Sequence, residues 1–217
     1  MHKKKLNIAF YVSGKASRLR KIIEGDDREL MSSTRLVVSD SMKNIDLSVT
    51  LKGTGIFFNC FEYERLKGDK KRNLSDKLLQ LFQDHQIDYC FCFGDHILKG
   101  ALLELYKNRI INFHPSILPS FKGRNAIDQA IREGAILLGN TAHFLTEKLD
   151  GGPIIMQSVI HISKFESEGY DAVLDQQLVM VKQIFDWISN GKISIADNRV
   201  HIKNVDFKSQ VFFPGLQ

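Results

Sequence analysis

The stretch Leu74-Ser75-Asp76-Lys77-Leu78-Leu79-Gln80-Leu81-Phe82-Gln83-Asp84-His85-Gln86-Ile87-Asp88-Tyr89-Cys90-Phe91-Cys92-Phe93 decides the fold. Leu74, Leu78, Leu81 and Phe82 fall on one helical face, which predicts a helix over Leu74–His85. Asp88–Phe93 is a near-continuous apolar run, the pattern of a strand covered on both faces at the centre of a sheet. A helix feeding such a strand is the repeating unit of an α/β protein with a parallel sheet.

The same alternation extends both ways. Towards the start, Leu6–Val12 reads as a first strand, Ser17–Glu24 as a helix with Leu19, Ile22 and Ile23 on one face, and Arg35–Ser39 and Gly55–Asn59 as further strands. Towards the end come a helix at Ala101–Tyr106, a strand at Arg109–His114, a helix at Ala126–Glu133, and strands at Thr141–Thr146 and Ile154–Ile162. The helix Tyr170–Ser189 then closes the core. Asn190-Gly191 is a helix stop, and Lys192–Ile202 alternates like a hairpin turning at Asp197-Asn198. The expected class is α/β, doubly wound, with a mainly parallel sheet flanked by helices. With no repeat, low-complexity tract or linker, residues 1–217 are expected to form one domain.

Composition narrows the function classes. Of 217 residues, 43% are hydrophobic, enough for a sizeable core, and 15 Gly with 4 Pro exclude collagen-like and linker-like chains. The start Met1-His2-Lys3-Lys4-Lys5 is basic, but the apolar run after it breaks at Ser13-Gly14-Lys15 without a small-residue cleavage site, so a cytoplasmic protein with no membrane span is expected. Cys60, Cys90 and Cys92 are too few and too apolar in setting for a disulfide framework or zinc site, and no metal is expected. The net charge of +5, with clusters at Lys3–Lys5 and Lys67–Arg72, suits an anionic small molecule as well as nucleic acid. The Lys67–Arg72 run lacks interleaved aromatics and reads as a solvated loop, so nucleic acid is not the expected partner. The apolar tail Val211-Phe212-Phe213-Pro214-Gly215 is read as packing either on the domain or on a partner subunit.

Two stretches carry chemistry. Asn112-Phe113-His114-Pro115 ends a strand with two polar side chains on one side of the pleat, and Pro115 stops the ladder at the sheet's carboxyl edge, where open α/β folds bind ligands. Thr141-Ala142-His143-Phe144 leads through Leu145-Thr146-Glu147-Lys148-Leu149 into Asp150-Gly151-Gly152-Pro153, a loop whose glycines allow a tight path around one carboxylate. Taken singly, the first also reads as a strand end whose Asn and His satisfy local backbone groups, and the second as an ordinary turn between two strands.

Together they resemble a known signature. Asn112-x-His114-Pro-Ser-x-Leu-Pro-x-Phe-x-Gly123, Gly139-x-Thr-x-His143-Phe and Leu149-Asp150-Gly-Gly-Pro-Ile-Ile-x-Gln157 are similar to the formyltransferases that use 10-formyltetrahydrofolate, among them the glycinamide ribonucleotide formyltransferases. The likeness runs from about residue 6 to about residue 200. Gly139–His161 is also similar to formyltetrahydrofolate deformylase, but the chain carries His114-Pro115 where deformylases carry His-His and leaves no room for their extra amino-terminal domain. Formyl transfer is therefore expected.

The resemblance implies roles residue by residue. Asn112, His114 and Asp150 correspond to the catalytic trio, and His143 to a residue supporting the loop. Asp95, His96, Ile97 and Leu98, with Thr146, Glu147, Lys148 and Leu149, correspond to segments that hold the folate. Ser13, Gly14, Lys15, Ala16, Ser17 and Arg18, with Pro115, correspond to the acceptor side. Residues 6–95 are then an acceptor-binding half and 96–217 the folate-binding and catalytic half. Two departures fall on the acceptor side: Ala16 replaces a glycine of the phosphate turn, and Gln177-Leu178 stands where relatives carry Glu-His for a ribose. They favour an amine acceptor that is an amino sugar, nucleotide-linked or otherwise phosphorylated, with glycinamide ribonucleotide as the alternative.

Overall fold

A computed structural model of the protein describes residues 5–25, 27–206 and 211–213. These form two compact units, one ending at Ile111 and the other beginning at Asn112. The chain passes between them within one strand, Ile110–His114.

The amino-terminal unit holds β1 (Ile8–Val12), α1 (Ser17–Glu24), α2 (Arg28–Ser33), β2 (Thr34–Ser39), α3 (Leu47–Thr50), β3 (Phe57–Cys60), α4 (Lys70–Asp84), β4 (Tyr89–Phe93), α5 (Ala101–Leu105) and the start of β5 (Ile110–His114). Its strands lie in the order β4-β1-β2-β3, all parallel. β1 is buried along its whole length, as its apolar run requires. In register, Val12 lies opposite both Ser39 and Phe93. The three strands therefore end at one level, and Ser13, Asp40 and Gly94 leave the sheet together at its carboxyl edge. Within β4, burial pushes the Cys92 thiol up to about 12 and the Cys90 thiol well above its ordinary value, so both are inert neutral core groups.

The carboxyl-terminal unit takes up β5 at Asn112 and continues through α6 (Ala126–Arg132), β6 (Leu137–Phe144), β7 (Ile154–His161), α7 (Ile162–Glu168), α8 (Tyr170–Ser189), β8 (Ile193–Ala196), β9 (Arg199–Ile202) and β10 (Phe212–Phe213). The order is β10-β7-β6-β5, with β6–β7 and β7–β10 antiparallel. With the parallel strands above, this is the expected α/β class with a mainly parallel sheet. The stop after α8 is built on Gly191 at φ 62°, with the Lys192 N–H donating to the Trp187 carbonyl at 2.8 Å. Asp197 and Asn198 both take positive φ at the β8–β9 turn, as expected of that hairpin. No helix among the described residues is long and apolar enough to cross a membrane.

Several elements differ from the sequence expectation. β6 begins at Leu137, not Thr141, because Gly139 and Asn140 read locally as loop. A Cβ at Gly139 would lie 2.1 Å from the Ser158 carbonyl oxygen, so this close strand approach needs glycine. The buried Asn140 amide donates to the Val173 carbonyl at 2.8 Å, which ties β6 to α8. α4 starts at Lys70, before the apolar stripe, because Asp69 caps it by accepting the Arg72 N–H at 3.1 Å. Cations in a first turn oppose the helix dipole, which is why Lys67–Arg72 looks like a loop; Lys70 is offset by Glu64 at 2.6 Å. α2, capped by Asp27, buries only Leu30, and α7 buries no residue, so neither shows a stripe. The tail adds β10 to β7, Phe212 opposite Ser158 and Phe213 opposite Gln157, so it pairs with its own domain. Pro214 and Gly215, like Met1–Lys4, lie outside the described residues.

Candidate active site

In the carboxyl-terminal unit, strand alternation turns Asn112 and His114 to one side of β5. The turn that follows is pinned by motif residues from the neighbouring strands: Thr141 Oγ1 donates to the Ser116 carbonyl at 2.7 Å, and Gln157 Nε2 donates to the Leu118 carbonyl at 3.0 Å. Asp150 is delivered by the loop between β6 and β7, at φ 45°, a left-handed conformation that Asp tolerates better than most residues. Its Oδ2 accepts the Gly123 N–H at 2.7 Å.

Four side chains come together here. His114 Nδ1 lies 3.7 Å from Asp150 Oδ2, and His143 Nε2 lies 3.9 Å from Asp150 Oδ1. Asn112 Nδ2 lies 3.3 Å from His143 Nε2. The side chains of His114 and Asp150 are each 7% exposed, so their electrostatic interaction is poorly screened. His143 is fully buried, and burial lowers its pKa, which keeps it neutral at neutral pH. Its Nδ1 lies 3.1 Å from the Phe144 carbonyl, which can only accept, so the proton sits on Nδ1 and Nε2 accepts from the Asn112 amide. The ring thereby fixes which way the Asn112 amide points.

The His114 tautomer is set by a backbone carbonyl and not by Asp150. His114 Nε2 lies 2.8 Å from the Phe121 carbonyl, so Nε2 carries a proton and Nδ1 is the position facing Asp150 at ion-pair range. Phe121 itself is held at φ 53°, an uncommon conformation for an aromatic residue. Phe121 and Gly123 act here through their backbones, which side-chain chemistry could not flag; their only signal was their place in the motif after His114.

In the amino-terminal unit, Ser13, Gly14, Lys15, Ala16, Ser17 and Arg18 line a small cavity of about 130 Å³, with Phe93 and Asp95 on its wall. The Ala16 N–H closes a turn on the Ser13 carbonyl at 3.1 Å, and buried Asn44 donates to the Gly14 carbonyl at 3.1 Å. α1 then starts with its first-turn N–H groups facing outward from Ala16, an arrangement suited to an anion. The Arg18 guanidinium lies 4.7 Å from the Phe93 ring centroid, and burial lowers its pKa against the opposing pull of Asp95. Ala16 sits at φ 51°, so it keeps the left-handed turn that a glycine would adopt freely. Ala16→Gly is therefore expected to stabilise the protein by about 1 kcal/mol, read as a raised midpoint in urea unfolding.

Of the folate-side segments, Asp95, His96, Ile97 and Leu98 belong to the amino-terminal unit. Thr146, Glu147, Lys148 and Leu149 belong to the other, as does Pro115. Ile97 and Leu149 are exposed apolar side chains, 46% and 54%. Among the described residues there is no group of three or more His, Cys, Asp or Glu able to hold a metal ion.

Residues 6–178 match the formyl transferase family. The chain belongs to that family. A formyl transferase of this kind transfers its formyl group to an amine, with 10-formyltetrahydrofolate as donor. Its sequence is 30% identical over 161 residues to a phosphoribosylglycinamide formyltransferase of Bacillus subtilis, covering 73% of this chain and 81% of that one. It is 28% identical over 204 residues to the human trifunctional purine biosynthetic protein adenosine-3, covering 90% of this chain but only 20% of that protein. The fold is similar to that of a glycinamide ribonucleotide transformylase from Symbiobacterium toebii, with a TM-score of 0.78, 24% identity and coverage of 91% of this chain and 93% of that one.

Proposed function

We propose that this formyl transferase formylates glycinamide ribonucleotide in the cytoplasm, using Asn112, His114 and Asp150 as catalytic residues. The observation that carries the chemistry is the shielded cluster of Asn112, His143, Asp150 and His114. Attack of the acceptor amine on the formyl carbon builds negative charge on the formyl oxygen. Asn112, its amide oriented by His143, donates an N–H to that oxygen, a contact worth about 3 kcal/mol. His114, with Nε2 committed to the Phe121 carbonyl, presents Nδ1 to the reacting group on the side that faces Asp150. Asp150 takes the amine's proton as the new C–N bond forms, and the bond from the formyl carbon to the donor nitrogen breaks with return of a proton to that nitrogen. Asp95–Leu98 and Thr146–Leu149 are assigned to the folate as the family resemblance implies.

Two considerations move the acceptor from an amino sugar to the ribonucleotide. Ala16 was expected to change the shape of the anion turn, yet it holds the left-handed conformation. Gln177 was expected to face the acceptor, yet it is fully buried and donates to Asn140 Oδ1 at 2.8 Å, so its lack of a carboxylate says nothing about a ribose. The likeness along most of the chain to phosphoribosylglycinamide formyltransferases supports the same acceptor.

The test is incubation with 10-formyltetrahydrofolate and either glycinamide ribonucleotide or a panel of nucleotide-linked amino sugars, read as the mass gain of one formyl group. Formylation of an amino sugar alone, or donor hydrolysis that ignores every amine, overturns this reading. Arg18→Ala is expected to raise the acceptor KM by ~10-fold or more with kcat changed less than ~3-fold, because it removes binding remote from the formyl carbon. An effect confined to kcat excludes Arg18 as an anion clamp.

A further inference from the structure

At the carboxyl edge of the first unit's sheet lies a polar cluster centred on buried Asp40, a residue to which the proposed chemistry gives no role. Asp40, its side chain 2% exposed, follows β2. Its Oδ2 accepts the Tyr11 hydroxyl at 2.5 Å and the Ser13 hydroxyl at 2.7 Å, and His96 Nε2 lies 3.6 Å away. The Ser13 oxygen in turn accepts the Asp95 N–H at 3.0 Å. His96 is stacked on Tyr63, ring centroids 3.5 Å apart and planes 12° from parallel. One carboxylate thus links the turn after β1, where the anion cavity is built, to the turn after β4.

We infer that Asp40 is a positioning residue for the acceptor loop: its buried carboxylate orients Ser13 and so holds the Ser13–Arg18 turn and the Asp95 backbone in their receiving shape. The inference rests on reading that turn as the acceptor site. An ionised carboxylate only accepts, so the Tyr11 and Ser13 hydroxyls both donate to it, and the Ser13 lone pairs face the Asp95 N–H. A protonated Asp40 has a hydrogen of its own to place and competes for Ser13, which frees the loop. The charge state of Asp40 therefore sets the order of the acceptor turn.

The groups facing Asp40 are Tyr11 from β1, Ser13 from the turn after it, Cys92 from β4, Asp95 and His96 from the turn after β4, and Cys60 from the end of β3. Both thiols are raised by burial and stay neutral. Burial raises the Asp40 carboxyl above its ordinary value, opposed by the Tyr11 and Ser13 hydrogen bonds and by His96, with Asp95 adding to the rise. A carboxyl raised in the folded state binds its proton more tightly there than in the unfolded chain, so its contribution to stability falls as pH rises through the folded value. At neutral pH the charge on Asp40 costs stability.

A residue that only supported the fold would not behave that way under substitution. Asp40→Asn removes the charge and brings an NH2 group of its own, which, like the proton of a neutral Asp40, competes for Ser13. Expected are a thermal midpoint at pH 7 equal to or above that of the unaltered protein, an acceptor KM raised ~10-fold, and kcat within ~3-fold. In the unaltered protein the acceptor KM rises as pH is lowered through the raised Asp40 value, and Asp40→Asn flattens that rise. Tyr11→Phe, which removes one donor to the carboxylate, moves the rise to higher pH. Without any substrate, the Asp95 amide exchanges with solvent faster in Asp40→Asn, because its Ser13 partner is no longer oriented. An unchanged Asp95 amide, or a KM and pH profile like those of the unaltered protein, overturns the inference. Titration with inorganic phosphate tests the underlying reading separately: resonances of Ser17 and Arg18 that do not move in the unaltered protein overturn the assignment of the loop to the acceptor.

Discussion

Asp150→Asn and His114→Ala each lower turnover by at least ~100-fold while the protein stays folded. The Asn side chain is isosteric and can still accept the Gly123 N–H through its remaining oxygen, so the loop stays in place. What is lost is the negative charge 3.7 Å from His114 Nδ1 and the base for the amine's proton. Removal of the His114 ring deletes the group that Asp150 acts upon, and leaves the Phe121 carbonyl to water. Because the two residues act as one unit, the double variant is expected to fall little below the worse single variant, whereas independent contributions would multiply. Steady-state rates with both substrates varied, beside thermal melts of each variant, decide this. Near-unaltered turnover in either single variant sinks the assigned roles, as does a full product of the two losses.

How far the site was legible in the sequence depends on whether a residue acts by its side chain or its backbone. Asn112, His114 and Asp150 could be picked out because amide, imidazole and carboxylate carry their chemistry in the side chain. The frame around them could not. Phe121 acts by its carbonyl and Gly123 by its N–H, and neither has a residue-type signature. Asp40 was missed for a different reason: it is an isolated polar residue after an apolar strand, and only the common level of β1, β2 and β4 brings Tyr11, Ser13 and His96 to it. The fold itself was easier to read where burial is periodic. α8, with its long buried face and glycine stop, matches its expected span from Tyr170 to Ser189. α2 and α7, which rest on caps and neighbours, left no periodic trace. Gln177 shows the converse error, since a polar residue on a late helix was read as site-facing when it is a buried tie between α8 and β6.

Gly152→Ala is expected to be as damaging to activity as loss of a catalytic group, although position 152 contributes no side-chain chemistry. A Cβ there would sit 1.8 Å from the Phe144 carbonyl oxygen and 3.0 Å from its carbon, both backbone atoms of the last residue of β6. No side chain can move aside to relieve that overlap, so the loop or the strand must shift. The loop cannot move alone: the Phe144 N–H donates to the Pro153 carbonyl at 3.0 Å and the Gly151 N–H to the Lys148 carbonyl at 3.0 Å, which fixes both ends of the Asp150 segment. Neighbouring Phe144 also supplies the carbonyl that sets the His143 proton, and through it the direction of the Asn112 amide. One methyl group thus disturbs Asp150 directly and Asn112 through His143. The expected result is a stability loss of ~2–4 kcal/mol, in the range for overpacking against rigid surroundings, with turnover of the folded fraction down by at least ~100-fold. Urea unfolding and rates normalised to folded protein separate the two effects. Unaltered kinetics in a merely destabilised variant would show that the Asp150 loop tolerates displacement, and the requirement for this tight backbone path would be lost with it.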